Sequence, residues 1–82
     1  MAWEILVYEA GGRYYGVAYS EKSHASIERD MPDDWIFLGI KREIPDGKVK
    51  GLYARVKDLT NKLNNGARLN TEKELEKIFS EV

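Results

Sequence analysis

The chain contains no cysteine, which excludes disulfide bonds, thiolate metal ligands, iron–sulfur clusters and cysteine nucleophiles. Its single histidine, His24, lies one and two residues from Ser23 and Ser26, and side chains at those spacings on a helix do not face each other. No apolar run approaches the roughly 18 residues that a membrane-spanning helix requires. Glycine-rich phosphate loops and calcium-loop spacings are also missing. We therefore expect no catalytic site, no cofactor and no metal.

The composition that remains is typical of a folded domain. The 82 residues are 43% hydrophobic and 33% charged, with a net charge of −1. This predicts one globular domain over residues 1–82. A nearly neutral chain is not favoured as a nucleic-acid binder by bulk charge. Because the N-terminal residues lack a secretion-signal pattern, we expect a cytoplasmic protein without membrane association.

Two β-favouring segments, residues 3–10 and 13–20, flank the pair Gly11-Gly12. A two-residue type I′ turn requires positive φ at both central positions, which glycine adopts readily, so the pattern predicts a β-hairpin. In that register Tyr8 faces Tyr15. Both faces of the hairpin are largely apolar, which suits a central position for its first strand.

A short helix over residues 20–31 and a third strand over residues 34–44 are predicted next. Crossover connections are right-handed, which places the third strand beside the first and parallel to the second, in the order 2-1-3. Strict alternation would turn one set of side chains toward the core, namely Ile36, Leu38, Ile40 and Ile44. The other set would face the opposite side, namely Trp35, Phe37 and Lys41.

The segment after the third strand allows two interpretations. Residues 44–48 have the composition of a turn, followed either by a helix that begins near Gly51 or by a hairpin into a fourth strand. We favour the helix, with its end at the stop signal Asn64-Asn65-Gly66. A capping box at residues 71–74 then predicts a final helix. Its inward side chains would be Leu75, Ile78, Phe79 and Val82.

These elements predict an α+β fold. Its small, mainly antiparallel, twisted sheet would have three strands, or four if residues 48–56 form a strand, with helices packed on the sheet. The element order would be β-β-α-β, then a helix or strand, then α. Gly16 and Ala18 face Ile5 and Val7 in the hairpin, and such small residues allow a helix to pack closely.

The other face of the predicted sheet is aromatic, and we predict that it binds a partner. Large exposed aromatic side chains bury much area on binding at a low cost in conformational entropy. The predicted partner-binding residues are Tyr8, Tyr15, Tyr19, Trp35, Phe37 and Lys41. The alternative is that one of the helices covers this face and makes it a second core.

Charge is distributed unevenly along the chain. Residues 1–47 contain nine acidic and five basic residues, whereas residues 48–82 contain eight basic and five acidic ones. Lys48, Arg55 and Lys62 recur every seven residues and would form one basic stripe if the segment is helical throughout. Such a stripe is either a solvated helix flank or a patch for phosphates or an acidic partner.

The sequence thus predicts a small non-enzymatic binding or regulatory module, an inhibitor or adaptor that acts through a protein partner or self-association. Small regulators encoded by mobile elements or phages are often cysteine-free domains of this size. The alternative is a nucleic-acid-binding domain that uses the aromatic sheet face with the basic segment 48–68 beside it. The net charge weighs against that alternative.

Overall fold

The computed structural model describes residues 3–20 and 29–80. In chain order its elements are β1 (Trp3–Ala10), β2 (Arg13–Ser20), β3 (Ile36–Ile44), α1 (Asp46–Asn64) and α2 (Thr71–Phe79). The strands form an antiparallel sheet in the order β2-β1-β3, and the fold is α+β, as predicted. Most of the helix predicted over residues 20–31, including His24, lies outside the described residues, although residues 29 and 30 are helical.

The β1–β2 hairpin has the predicted register. Tyr8 pairs with Tyr15, and the ladder extends from Trp3–Ser20 to Ala10–Arg13. Both turn residues have positive φ, 58° at Gly11 and 82° at Gly12. The Gly-Gly pair therefore sets the register of the hairpin and, with it, the face on which each β1 and β2 side chain lies.

One face of the sheet packs against both helices and is called here the helix-covered face. Ile5 and Val7 of β1 are fully buried there, in one cluster with Val56 of α1 and Leu75 of α2. A Cβ placed on Gly16 would lie only 2.7 Å from Cγ1 of Val56. The predicted close approach of a helix to the small residues of β2 is therefore confirmed.

Helix α1 begins at Asp46, so the predicted turn, the start near Gly51 and the possible fourth strand are all wrong. Pro45 lies at the N-cap with φ −60°, and its carbonyl accepts hydrogen bonds from the N–H groups of Lys48 (2.9 Å) and Val49 (3.2 Å). Proline at a helix start loses no hydrogen bond and has a helix-compatible φ. The residues whose composition suggested a turn therefore form the first turn of this helix.

The C-terminal stop of α1 is confirmed. Gly66 has φ 92°, and the Ala67 N–H donates to the Lys62 carbonyl at 3.0 Å, as in a Schellman motif. The start of α2 differs slightly from the prediction because Asn70, not Thr71, is the N-cap, with its side chain accepting from the Lys73 N–H.

The inward residues of α2 largely follow the prediction. Leu75 and Ile78 are buried, and Phe79 packs partly buried against the core. Val82 lies outside the described residues.

Strand β3 does not alternate as predicted. Irregularities interrupt its pairing with β1 between Val7 and Tyr8 and again between Trp3 and Ile5. A bulge adds one residue to a strand and reverses the face of those that follow. Ile40 consequently pairs with Leu6 on the face opposite the helices.

The other three predicted core positions of β3 have different outcomes. Ile36 is 55% exposed, which contradicts its predicted core position. Leu38 packs partly buried against the core, and Ile44 is fully buried, as predicted.

Candidate functional site

Four aromatic side chains come together on the face of the sheet opposite the helices. The rings of Tyr8 and Tyr15 stack with centroids 5.0 Å apart and an interplanar angle of 17°. Trp35 makes edge-to-face contacts with Tyr8 at 6.1 Å and with Phe37 at 6.2 Å. We call these four residues the ring cluster, and the face that carries it the ring face. Both arrangements are the favoured geometries of aromatic pairs.

The hairpin register and the first bulge of β3 explain this assembly. Tyr8 and Tyr15 are direct cross-strand partners, and Phe37 pairs with Tyr8 from the other side. Side chains of directly paired residues lie on one face within contact distance. Trp35 lies just before β3, where its N–H donates to the Pro32 carbonyl at 3.3 Å.

The ring cluster is partly open to solvent. Phe37 is 48% exposed and Tyr15 38% exposed. The expected alternative was that one of the helices covers this face. Leu52, Leu59 and Phe79 instead pack into the core of the helix-covered face. Neither α1 nor α2 therefore covers the rings.

Tyr19 lies on the ring face as predicted, but it is buried, with an exposed fraction of 3%. Its hydroxyl donates to Oε2 of Glu4 at 2.5 Å, and Nε of Arg42 lies 3.3 Å from Oε1 of the same carboxylate. Tyr19 is thus held in a polar network and offers little surface to a partner.

Lys41 was predicted to share a face with the rings, and this placement is wrong. It pairs with Ile5 on the helix-covered face because the bulge of β3 shifts its position by one residue. The structure therefore brings together Tyr8, Tyr15, Trp35 and Phe37 and separates Lys41 from them.

The hydroxyl of Tyr8 differs electrostatically from that of a free tyrosine. Burial raises the pKa of the Tyr8 hydroxyl above its ordinary value, and the neighbouring Tyr15 raises that pKa further. Both effects disfavour the phenolate form of Tyr8. Tyr8 therefore presents a neutral hydroxyl group at neutral pH.

The basic stripe of Lys48, Arg55 and Lys62 lies along one uninterrupted helix, α1, and all three residues are exposed. Nζ of Lys62 is 3.1 Å from Oδ2 of Asp58, one turn earlier. Because α1 packs on the helix-covered face, this helix and the ring cluster lie on opposite sides of the sheet. The fold does not join them into one surface.

The described ranges, 3–20 and 29–80, contain neither a metal-binding cluster nor a helix that could span a membrane. No group of three histidine or acidic side chains there has a geometry that could hold a metal ion. None of the helices in those ranges combines the length and the apolar character that a membrane span needs.

A groove between β3 and α2 was not predicted from the sequence. Its volume is about 380 Å³. Gly39 forms part of its wall, where an added Cβ would lie 3.2 Å from Cδ1 of Leu75. An isolated glycine within a strand signals a bulge or a close approach, and Gly39 was the available signal for both.

Comparisons with protein-family profiles, with curated proteins and with solved structures found no match. The geometry of the ring cluster and of the groove is therefore the basis for interpreting function.

Proposed function

We propose that this protein is a non-enzymatic binding module that recognises a protein partner, or a second copy of itself, through the ring cluster. The observation that carries the proposal is the partial exposure of a connected set of rings that α1 and α2 leave uncovered. Phe37 at 48% exposure and Tyr15 at 38% contribute its accessible surface.

Energetics supports a binding role for these rings. Exposed aromatic groups are enriched among the residues that dominate protein interfaces, because they bury a large area at the cost of few rotatable bonds. The contacts of Tyr8 with Tyr15 and Trp35 restrict the rings before a partner arrives. Such preorganisation lowers the entropic cost of binding.

Nucleic acid is the less favoured ligand. Sequence-tolerant recognition of single strands combines stacking rings with cations that track the phosphates. Here the rings and the helix of the basic stripe are on opposite sides of the sheet. A strand that stacks on Tyr15 would not reach Lys48, Arg55 or Lys62 without passing around the molecule.

The test is affinity capture from nuclease-treated extract of the source cells, followed by titration with the purified captured protein. We expect Phe37→Ala and Tyr15→Ala each to weaken that binary complex by about tenfold or more, as interface hot spots do. Sedimentation of the protein alone tests self-association with the same variants.

Leu69→Ala is the matched control because Leu69 is an exposed apolar residue, 39% accessible, outside the ring cluster. This variant should bind like the original protein. Each variant must keep its folded far-UV spectrum. Equal affinity of the Phe37→Ala, Tyr15→Ala and Leu69→Ala proteins would reject the ring cluster as the binding surface.

A further inference from the structure

The groove between β3 and α2, the β3–α2 groove, is a second surface separate from the ring cluster. One wall is the outer part of β3, and the other is a face of α2 with apolar and acidic side chains. The lining of the groove includes Leu38, Gly39, Ile40, Lys41, Glu72, Leu75, Glu76 and Phe79. Leu38 and Phe79 pack only partly buried against the core, so the groove has an apolar floor that is open to solvent.

The two edge strands of the sheet differ in whether other residues bond to their outward backbone groups. On β2, the carboxamide of Asn64 accepts from the Tyr14 N–H at 2.7 Å and donates to the Tyr14 carbonyl at 2.9 Å. The hydroxyl of Tyr53 also donates to the carbonyl of Gly16 at 3.4 Å. Side chains of α1 therefore satisfy backbone groups along the β2 edge.

The hydrogen bonds at Tyr14 and Gly16 also show which backbone groups of β3 point outward. These two residues direct their N–H and C=O groups away from β1. The residues of β1 that face them therefore direct their own backbone groups toward β3, whereas the intervening residues of β1 form hydrogen bonds with β2. Val7 of β1 then forms a hydrogen-bonded pair with Gly39, and Ile40 directs its N–H and C=O away from the sheet. Within the described part of the chain, no other residue bonds to these groups of Ile40.

The groove is lined by two carboxylates, Glu72 and Glu76, and by the ammonium group of Lys41, so its formal net charge is −1. Glu72 and Glu76 are four residues apart on α2, so they are neighbours on one side of the helix and repel each other. Neither forms an ion pair with another described residue, whereas Glu74 of the same helix lies 3.6 Å from Lys77. A cation bound in the groove would relieve this repulsion.

We propose that the β3–α2 groove binds a short extended peptide segment of a partner protein by strand addition to β3. The peptide backbone pairs with the outward groups of Ile40. One apolar side chain of the peptide lies on Leu75 and Phe79. A lysine or arginine two positions away, on the same side of the extended chain, faces Glu72 or Glu76.

The length of the segment follows from the shape of the edge. One bulge precedes Ile40, and a second irregularity contains Glu43, whose φ of 59° departs from an extended strand. Bulges limit continuous edge pairing. The regular part of the edge therefore accommodates only a few peptide residues, and side-chain contacts in the groove must supply the specificity.

A phage-displayed library of random heptapeptides, selected on the immobilised full chain, tests the proposal. We expect enrichment of an apolar residue and a lysine or arginine separated by one position. A synthetic peptide with the enriched sequence should slow hydrogen exchange of the Ile40 amide by about tenfold at saturation, since that amide becomes hydrogen-bonded. No enrichment, or enrichment without this pattern, would overturn the proposal.

Charge variants of α2 make the test specific. Glu72→Lys combined with Glu76→Lys should weaken peptide binding by about tenfold or more, whereas the control Glu74→Lys should change it by less than about twofold. Equal effects of these variants would contradict the charge contact. A peptide that protects Tyr15 and leaves Ile40 exchange unchanged would reject the groove while supporting the ring cluster.

Discussion

The two faces of the sheet share the same central strand but have different roles in the fold. On β1, Ile5 and Val7 point to the helix-covered face and are fully buried against α1 and α2. The adjacent residues point to the ring face, where Leu6 is buried but the neighbouring surface at Tyr15 and Phe37 is exposed. Alternating residues of β1 thus pack in the core on one side of the sheet and, on the other side, lie beneath a surface that is accessible at Tyr15 of β2 and Phe37 of β3.

This difference has a consequence for mutation. A side chain with no accessible surface contributes its full transfer free energy and leaves a cavity when it is truncated. A half-exposed ring contributes less to folding and retains free area for binding. Substitutions on the two faces should therefore separate stability from partner recognition.

The largest effect is expected on the helix-covered face. Ile5→Ala should lower the free energy of unfolding by about 2–5 kcal/mol, because Ile5 is 0% exposed and its loss leaves a cavity under α1. Chemical denaturation measures the change. Leu69→Ala is the exposed control and should cost less than about 0.5 kcal/mol. Equal losses for the two variants would contradict the assignment of the core.

Two glycines should respond to alanine with opposite signs. Gly16→Ala should destabilise the fold by about 1–3 kcal/mol, because its Cβ would lie 2.7 Å from Cγ1 of Val56. Gly51→Ala should stabilise it by about 0.5–1 kcal/mol, since Gly51 lies inside α1 with no atom near the added Cβ. The same denaturation assay compares them. Stabilisation by Gly16→Ala would show that α1 does not pack tightly on β2.

On the ring face, Tyr15→Ala should lower the free energy of unfolding by only about 0.5–1.5 kcal/mol, the contribution of one aromatic pair. Within the ring cluster, the ring of Tyr15 stacks on Tyr8 alone. The midpoint of thermal unfolding should fall by only a fraction of the decrease caused by Ile5→Ala. A loss as large as that of Ile5→Ala would mean that the ring cluster is a second core rather than a binding surface.

Alkaline pH should weaken the tyrosine stack. The pKa of Tyr8 is raised in the folded protein, first by burial and then by Tyr15, so folding favours the neutral hydroxyl. This contribution is complete below the unfolded-state pKa of about 10 and is lost as the pH rises through the folded-state pKa. The free energy of unfolding should therefore fall above about pH 10, and less so in Tyr8→Phe. An identical pH dependence in both proteins would contradict this role of Tyr8.

The smallest effect is expected from the basic stripe. We predict no detectable binding to duplex DNA at physiological salt, because the rings and the helix of the stripe do not form a common surface and the net charge is −1. Fluorescence anisotropy with labelled duplex measures it. Micromolar affinity that disappears when Lys48, Arg55 and Lys62 are replaced by alanine would favour the nucleic-acid alternative.

Local patterns were sufficient to predict much of this fold. The Gly-Gly pair determines a turn with two positive φ values, and the turn determines the hairpin register, so Tyr8 and Tyr15 could be paired correctly from sequence. Gly16 opposite Val7 indicated a close helix, and Asn64-Asn65-Gly66 indicated the end of α1. These signals act through backbone conformation over a few residues, which is why they can be interpreted without the tertiary structure.

The sequence signals for the beginning of a helix were less reliable. Pro45-Asp46-Gly47 has the composition of a turn and also of a first helical turn, because proline and aspartate favour both. The choice depends on whether the apolar residues that follow can pack on the sheet, as Val49 and Leu52 do. Composition alone does not contain that information.

The tertiary structure alone decided the two candidate surfaces. The bulges of β3 place the side chains of Ile40 and Lys41 on the faces opposite those predicted. They allow β3 to pair with β1 while both Leu38 and Ile44 pack against the core. The position of α1 on the helix-covered face left Tyr15 and Phe37 accessible, and the approach of α2 to Gly39 formed the groove. The sequence by itself determined which residues form turns, pair as strands of a hairpin or form helices. Which side of the sheet the helices cover depends on packing between distant segments, and local propensity does not encode it.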